Sequence, residues 1–237
     1  MIKKRTRYKP LYKKFVRLRK NIQNRKKLLT NFEKKKWQNL ISFLKISSQR
    51  RKKNFGSYDQ FSFFVSKFGN SSKRTFLNNL LTKQRLSLFY GNLQNRKLKN
   101  LVLSARSKSK KKLTAAQLFI NSLENRLDTI LYRSHFAGSI REARLLIQHK
   151  HVFINQKIVT CNAFILKKGD IISLSKKGSR IAESNISNSN IWPLPPEFLQ
   201  INYKIFQISF LENLLKPSLS LSFPFWLDLN SVLNYYK

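Results

Sequence analysis

Apolar positions at helical spacing indicate helices in the first half of the chain. Residues 81–103 carry apolar side chains on both sides of a break at Tyr90-Gly91-Asn92. This pattern predicts two helical stretches joined by a turn. Residues 104–112 are predicted to form a charged linker, and Thr114 is a candidate N-cap of the next helix. Residues 45–80 are rich in Ser, Asn and Gly in places and are predicted to be irregular.

Residues 123–174 combine a helical pattern with short strand patterns. The apolar residues Leu123, Leu127, Ile130 and Leu131 share one face of a predicted helix. A turn follows, and Ser139 stands three residues before Glu142, which is the spacing of a capping box at the start of a second helix. That helix would turn Ile140, Ala143, Leu146 and Ile147 inward. Strands are predicted at 152–154, 158–159 and 171–174. The expected fold class is therefore α+β: a basic helical arm and body, with a small helix-turn-helix plus β-sheet module.

Charge divides the chain into four predicted regions. The sequence has 48 Lys and Arg against 10 Asp and Glu, a net charge of +38. Residues 1–53 form a basic arm with 21 basic residues and 1 acidic residue, in which Leu11, Phe15, Leu18 and Ile22 trace a narrow apolar stripe. Residues 54–118 would form a loop and helical body, 119–182 the module, and 183–237 a near-neutral aromatic tail. Such an excess of positive charge calls for a polyanionic partner, and aromatic residues among the charges favour nucleic acid.

The tail is expected to have a structural role. Residues 183–237 hold 3 basic and 4 acidic residues, so they cannot be a main phosphate-binding element. Their aromatic side chains need burial, and we expect the tail to pack back on the helices of 81–103. On that view, truncation at Ser189 would leave the module folded.

Enzymatic chemistry is not indicated. The sequence has no glycine-rich nucleotide-binding motif and no HExxH, and its acidic residues are scattered. Asp128 is expected to support its own helix or pair with a nearby arginine. The single Cys161 excludes a disulfide framework, and His149-Lys150-His151 lacks the spacing of common zinc sites. No cofactor and no metal are predicted. No apolar run approaches the roughly 18 residues of a membrane span.

A row of cationic and amide side chains marks the module. Arg141, Arg144, Gln148 and His151 recur at i, i+3, i+7 and i+10 and are predicted to share an outer helix face. Arg126 and Arg133 are predicted to lie together at the edge of the first helix. The predicted RNA-binding residues of the module are Arg126, Arg133, Ser139, Arg141, Arg144, Gln148, His149, Lys150, His151, Asn155, Lys157, Lys167 and Lys168. Those of the arm are Arg5, Arg7, Lys13, Lys14, Arg17, Arg19, Arg25, Lys26 and Lys27.

The pattern RLDxxLYRxxFAxSxxEARxLIxxxxVxIN…KxGDxI resembles the RNA-binding module named after ribosomal protein S4. In that family two helices pack on a small sheet, and the helix–turn–helix face docks on structured RNA. The chain departs from the family pattern at Lys150 and Gln156, where glycine is common, and both positions favour positive φ. The flanking RLSLFYGNLQNRKL and PPEFLQINYKIFQISF resemble the small-subunit ribosomal proteins of the family rather than other carriers of the module.

The resemblance implies a structural constituent of the small ribosomal subunit that binds small-subunit rRNA and supports assembly and translation. The implied partners are that rRNA and neighbouring small-subunit proteins, with no membrane and no homo-oligomer. Lys, Asn, Ile, Phe and Tyr, which have AT-rich codons, dominate the composition. This favours an organellar gene and a mitochondrial ribosome, with a plastid second. The alternatives are an accessory subunit of an RNA-modifying enzyme and a free RNA chaperone.

Overall fold

A computed structural model describes residues 72–109, 114–189, 194–211 and 227–236, together with eight further positions. Those positions are Lys14, Leu18, Ile22, Gln38, Asn39, Ser42, Ile46 and Phe223. Leu18 and Ile22, two members of the apolar stripe predicted in the arm, are buried. The other predictions for the arm, including all its RNA-binding residues except the exposed Lys14, lie outside the described residues.

The described chain divides into two compact units. One holds Met1–Leu86 with Phe223–Tyr235, and the other holds Ser87–Ser222 with Tyr236–Lys237. In the first unit, helix α7 (Leu229–Tyr235) packs on helix α1 (Ser72–Phe89). The Tyr235 ring lies 6.0 Å from the Phe76 ring, and the Lys83 ammonium group sits 4.6 Å above the Tyr235 ring.

Helices α1 and α2 (Asn95–Lys108) confirm the predicted pair with its break. Gly91 and Asn92 both have positive φ in the turn between them. Two boundaries differ from expectation. Helix α1 begins inside the segment predicted to be irregular, and α2 continues through most of the predicted charged linker. The buried residues Leu98, Val102 and Ala105 explain the second difference, because they extend one apolar helix face beyond residue 103.

Three helices follow: α3 (Ala115–Glu124), α4 (Leu127–Arg133) and α5 (Ile140–Gln148). Thr114 caps α3 in a full capping box with Gln117, as predicted. The single helix expected to carry Leu123 to Leu131 is instead split between α3 and α4. The Asn125 carbonyl accepts from the Leu166 amide, and the Leu127 amide donates to the Phe164 carbonyl. A later loop thus takes the backbone hydrogen bonds that would have continued the helix.

The strands form one antiparallel sheet. They are β1 (Val152–Ile154), β2 (Lys157–Ile158), β3 (Ile171–Leu174), β4 (Leu199–Asn202) and β5 (Gln207–Phe210), in the order β2-β1-β3-β5-β4. Helix α6 (Lys176–Ser187) lies between β3 and β4 in the chain. Alternate strand residues, including Ile154, Ile172 and Ile208, enter a core with the apolar residues of α4 and α5. The predicted α+β class is confirmed, and the three predicted strands are present.

The tail supplies part of this sheet. Strand β5 pairs with β3, and β4 pairs with β5. Phe198, Leu199, Ile208 and Phe210 are buried in the same core as the predicted module. The predicted boundary between residues 182 and 183 also falls inside α6. These observations argue against the expectation that the module stays folded without residues beyond Ser189. Packing of the tail on residues 81–103 stays a prediction.

Of the helices that the structure describes, none is both long enough and apolar enough to span a membrane.

Candidate nucleic-acid interface

Arg133, a predicted RNA-binding residue, lies in a buried ion pair. Its Nε and Nη2 atoms donate to the two carboxylate oxygens of Glu124 at 3.0 and 2.8 Å. The Tyr90 hydroxyl donates to the same carboxylate. Burial disfavours the charge on Arg133, but the Glu124 carboxylate outweighs it, so the pKa of the guanidinium is raised. With a 5% exposed side chain, Arg133 holds α3, α4 and the turn after α1 together rather than facing a partner.

A second buried carboxylate, that of Asp128, forms ion pairs with two more of the predicted arginines, Arg126 and Arg144. Asp128 is fully buried and accepts from Arg126 Nε at 3.0 Å and Nη2 at 2.8 Å. It also accepts from Arg144 Nε at 2.8 Å. Two cations around one buried carboxylate compensate its loss of hydration. The expectation that Asp128 pairs with an arginine is confirmed, and Arg126, 9% exposed, has a structural partner.

Arg144 does not share an outward face with its helical neighbours. Its Nη1 donates to the Gly91 carbonyl at 2.8 Å, and its Nη2 donates to the Tyr90 carbonyl at 2.6 Å. All three guanidinium nitrogens therefore have partners inside the fold. The row predicted from sequence spacing is wrong for this residue, because a helical repeat shows which residues align but not where a long side chain reaches.

Further predicted residues serve local structure. The Ser139 hydroxyl accepts from the Glu142 amide as the N-cap of α5, and Glu142 itself accepts from the Gly138 amide. The Asn155 side chain donates to Asp170 at 2.9 Å and accepts from the Ile171 amide at 3.0 Å. These contacts engage both the donor and the acceptor of the Asn155 amide in joining the turn after β1 to the start of β3.

Lys150 and Gln156 have the left-handed backbone conformation that the sequence predicted. Their φ angles are +60° and +67°, and the intervening Asn155 has φ +47°. Residues other than Gly, Asn and Asp adopt this backbone conformation at a cost of about 1–2 kcal/mol. The turns therefore keep the geometry of glycine-containing turns without their glycines.

Seven of the residues predicted for the module are exposed: Gln148, His149, Lys150, Asn155, Lys157, Lys167 and Lys168. Arg141 and His151 are half-buried, and the Nδ1 atom of His151 lies 3.0 Å from the Ser175 hydroxyl. The Asn155–Asp170 hydrogen bond joins the turn that precedes Lys157 to the turn that holds Lys167 and Lys168. The fold thus brings these three lysines to adjacent turns, while Gln148, His149 and Lys150 lie at the end of α5.

Helix α2 presents a basic face that sequence reasoning missed. Arg96, Lys97, Lys99 and Lys108 are exposed and lie outside the buried stripe of Leu98, Val102 and Ala105. The helix contains no acidic residue. At the start of α6, Lys176, Lys177 and Arg180 are also exposed. The helical spacing of Leu98, Val102 and Ala105 could have predicted that this helix continues to residue 105 and beyond. The interpretation of 104–112 as a linker ended the predicted helix too early.

The described part of the chain holds no group of three or more His, Cys, Asp or Glu residues placed to bind a metal ion. The basic surfaces described above carry lysine and arginine head groups that are exposed to solvent. Buried contacts stabilise the helices and turns to which these head groups belong. Exposed ammonium and guanidinium groups bind phosphate oxygens.

Comparison with known proteins agrees with this character. The S4 domain family model matches residues 125–172, which contain α4, α5, β1 and β2. The small ribosomal subunit protein uS4m of Marchantia polymorpha is 32% identical over 165 residues, covering 68% of this chain and 79% of that protein. The chain belongs to the uS4 family.

Two further uS4 relatives show how far the likeness extends. The small ribosomal subunit protein uS4m of Reclinomonas americana is 33% identical over 165 residues, covering 66% of this chain and 64% of that protein. The small ribosomal subunit protein uS4 of Pelagibacter ubique is 30% identical over 159 residues, covering 67% of this chain and 75% of that protein. These uS4 relatives are named as ribosomal proteins, which supports the interpretation of this chain as a non-enzyme.

Proposed function

We propose that this chain is a structural constituent of the small subunit of the mitochondrial ribosome, which binds small-subunit rRNA and supports assembly and translation. Membership of the uS4 family carries the proposal, since relatives across bacteria and organelles are named small ribosomal subunit proteins. The exposed basic groups of the Ser87–Ser222 unit support it, because they give the family fold a surface suited to phosphate.

Binding would rest on charge neutralisation. Each Lys or Arg that meets a phosphate releases condensed counterions, which favours association at low salt. The basic face of α2, the end of α5 and the lysines at 157, 167 and 168 are the exposed groups for this role. Arg126, Arg133 and Arg144 would contribute indirectly, because the ion pairs of Arg133 and Arg144 join α3, α4 and α5, the pair of Arg126 lies at the start of α4, and α5 carries one of these groups at its end.

The mitochondrial assignment rests on two observations. Relatives from Reclinomonas americana and Marchantia polymorpha are uS4m proteins, and the composition favours residues with AT-rich codons. The uS4c protein of Oryza sativa is also 32% identical over 131 residues. The plastid is therefore the alternative that the experiment has to separate.

Sedimentation of organelle extracts tests the proposal. Extracts of purified mitochondria and of plastids, where the source cell has them, are separated on sucrose gradients at low and high salt. We expect the protein in the small-subunit fraction of mitochondria at both salt concentrations. Release at high salt would instead indicate a free RNA chaperone. Co-migration with an RNA-modifying activity away from ribosomes would indicate an accessory subunit, and a signal confined to plastid ribosomes would overturn the assignment.

A further inference from the structure

The outer face of the sheet lacks charge. In the ladder that crosses all five strands, the paired residues facing away from the core are Ile158, Phe153, Ser173, Gln207 and Asn202. Side chains directly opposite one another on paired antiparallel strands lie on the same face. The assignment agrees with burial, because the alternate ladder through Ile154, Ile172 and Ile208 lies in the core. This row therefore faces away from the core, and none of its members is ionisable.

The neighbouring row has the same character. Ile171 pairs with Ser209, and Ser209 pairs with Gln200. The two isoleucines of this face, Ile158 and Ile171, are 55% and 46% exposed. Together the two rows, here called the outer sheet face, place Phe153 and the two isoleucines on β1, β2 and β3, beside hydroxyl and amide side chains on β3, β4 and β5.

The lack of charge is informative in this particular chain. Lys and Arg make up 48 of its 237 residues, and they appear on the exposed sides of α2 and α6 and in the turns around the sheet. A face that bound the phosphate backbone would need such groups on it. Phe153, the aromatic member of these two rows, is half-buried and so leaves only part of its ring for base stacking. The outer sheet face is thus poorly matched to RNA, although the same unit carries basic groups elsewhere.

Its composition matches a protein interface instead. The cores of protein interfaces are depleted in charged residues and combine apolar anchors with hydrogen-bonding side chains. We propose that the outer sheet face is the docking surface for a neighbouring protein of the small subunit, which presents an uncharged, aliphatic patch to Ile158, Phe153 and Ile171. A basic patch on the neighbour would find no carboxylate on this face, and an acidic patch would find no ammonium group. This proposal rests on the proposed ribosomal function and assigns a surface to one class of partner.

Site-specific photocrosslinking tests the occupant. Small subunits are reconstituted with the full-length protein carrying p-benzoylphenylalanine at position 158 or, as a control, at position 99 on the basic face of α2. We expect position 158 to crosslink to a different small-subunit protein and position 99 to rRNA. A crosslink from position 158 to rRNA, to another segment of the same chain or to a second copy would overturn the proposal.

A matched pair of variants tests whether the face matters. Ile158→Gln with Ile171→Gln removes apolar area without adding charge, and Leu145→Gln does the same at a 51% exposed position on α5. We expect the double variant to bind purified rRNA with unchanged affinity but to lose the crosslinked neighbour from reconstituted subunits. The Leu145 variant should retain it. Retention of the neighbour by both variants would overturn the docking surface, whereas weak rRNA binding by the unmodified protein would count against the proposed function instead.

Discussion

The guanidinium of Arg144 lies against the backbone of Gly91, donating to the Gly91 carbonyl at 2.8 Å across 53 residues of sequence. A Cβ atom added to Gly91 would lie 2.7 Å from Arg144 Nη1. Gly91 also has φ +71°, a conformation that favours glycine. The turn after α1 and the helix α5 therefore depend on each other: the turn needs a residue without a side chain, and the arginine needs the two carbonyls of that turn.

Replacing Arg144 should lower the free energy of unfolding. Arg144→Ala leaves two carbonyls without their donor and removes one of the two cations around buried Asp128. Breaking a buried ion pair from one side costs roughly 3–5 kcal/mol. We expect a loss of this order in the free energy of unfolding, measured in urea by circular dichroism. Gln148→Ala, at an exposed position on the same helix, is the control and should change it by less than about 0.5 kcal/mol. Equal effects would contradict the assigned contacts.

Tyr90 should make stability depend on alkaline pH. Burial, followed by the charge of Glu124, raises the pKa of the Tyr90 hydroxyl well above its ordinary value of about 10. A raised folded pKa gives stability that is present below about pH 10 and lost as pH rises through the folded value.

Tyr90→Phe tests this dependence. It should lower the free energy of unfolding at pH 7 by about 1.5–3 kcal/mol, since it removes a hydrogen bond to a charged group. The difference between the two proteins should shrink as the pH rises above 10. Comparing unfolding curves of both proteins from pH 7 to 11 cancels the titration of the lysines. A constant difference across that range would show that Tyr90 does not titrate with folding.

Glycine at Gln156 should stabilise the protein. The residue has φ +67°, and its side chain is exposed, so the substitution removes backbone strain and little packing. The relief of about 1–2 kcal/mol exceeds the entropic cost of about 0.5–1 kcal/mol that glycine adds. We expect a net gain of a few tenths to about 1 kcal/mol in thermal or urea unfolding. Lys157→Gly, one residue later in β2, is the matched control and should destabilise. A loss at both positions would argue against strain in this turn.

Charge reversal at the exposed lysines should weaken rRNA binding and leave the fold intact. Lys150, Lys167 and Lys168 are all exposed. Each lost phosphate contact reduces the magnitude of the slope of log affinity against log salt concentration by about 0.7–0.9. The triple variant Lys150→Glu, Lys167→Glu, Lys168→Glu should therefore have a slope smaller in magnitude by about 2–3. Filter binding at several salt concentrations measures this. The far-ultraviolet circular dichroism spectrum should not change. An unchanged slope would remove these lysines from the interface.

Truncation after Ser189 should unfold the Ser87–Ser222 unit rather than detach a tail. It deletes β4 and β5 and with them the buried Phe198, Leu199, Ile208 and Phe210. The single variant Phe210→Ala should already cost roughly 3–5 kcal/mol. Limited proteolysis followed by mass spectrometry would detect the loss of protection over residues 125–172. A protected fragment in the truncated protein would show that three strands suffice.

Local signals in the sequence were enough for the elements and for several turns. Thr114, Ser139 and the break at Tyr90-Gly91-Asn92 act within a few residues of themselves, so their roles as caps and as a turn were readable. The positive φ of Lys150 and Gln156 was predicted in another way, from the family resemblance, because glycine is common at both positions in that family. The α+β class likewise follows from patterns within 123–174, and the family follows from that stretch together with its two flanking segments.

The tertiary structure decided which cations face solvent and which strands complete the sheet. In the sequence, nothing distinguished Arg126, Arg133 and Arg144 from the lysines that are exposed. In the structure, their partners are the buried carboxylates of Glu124 and Asp128 and the carbonyls of Tyr90 and Gly91. Pairing of β5 with β3 joins residues more than thirty positions apart, which no local period records. The physical reason is shared: burying a charge or a strand edge requires a complementary group, and only the folded chain brings that distant group within hydrogen-bonding distance.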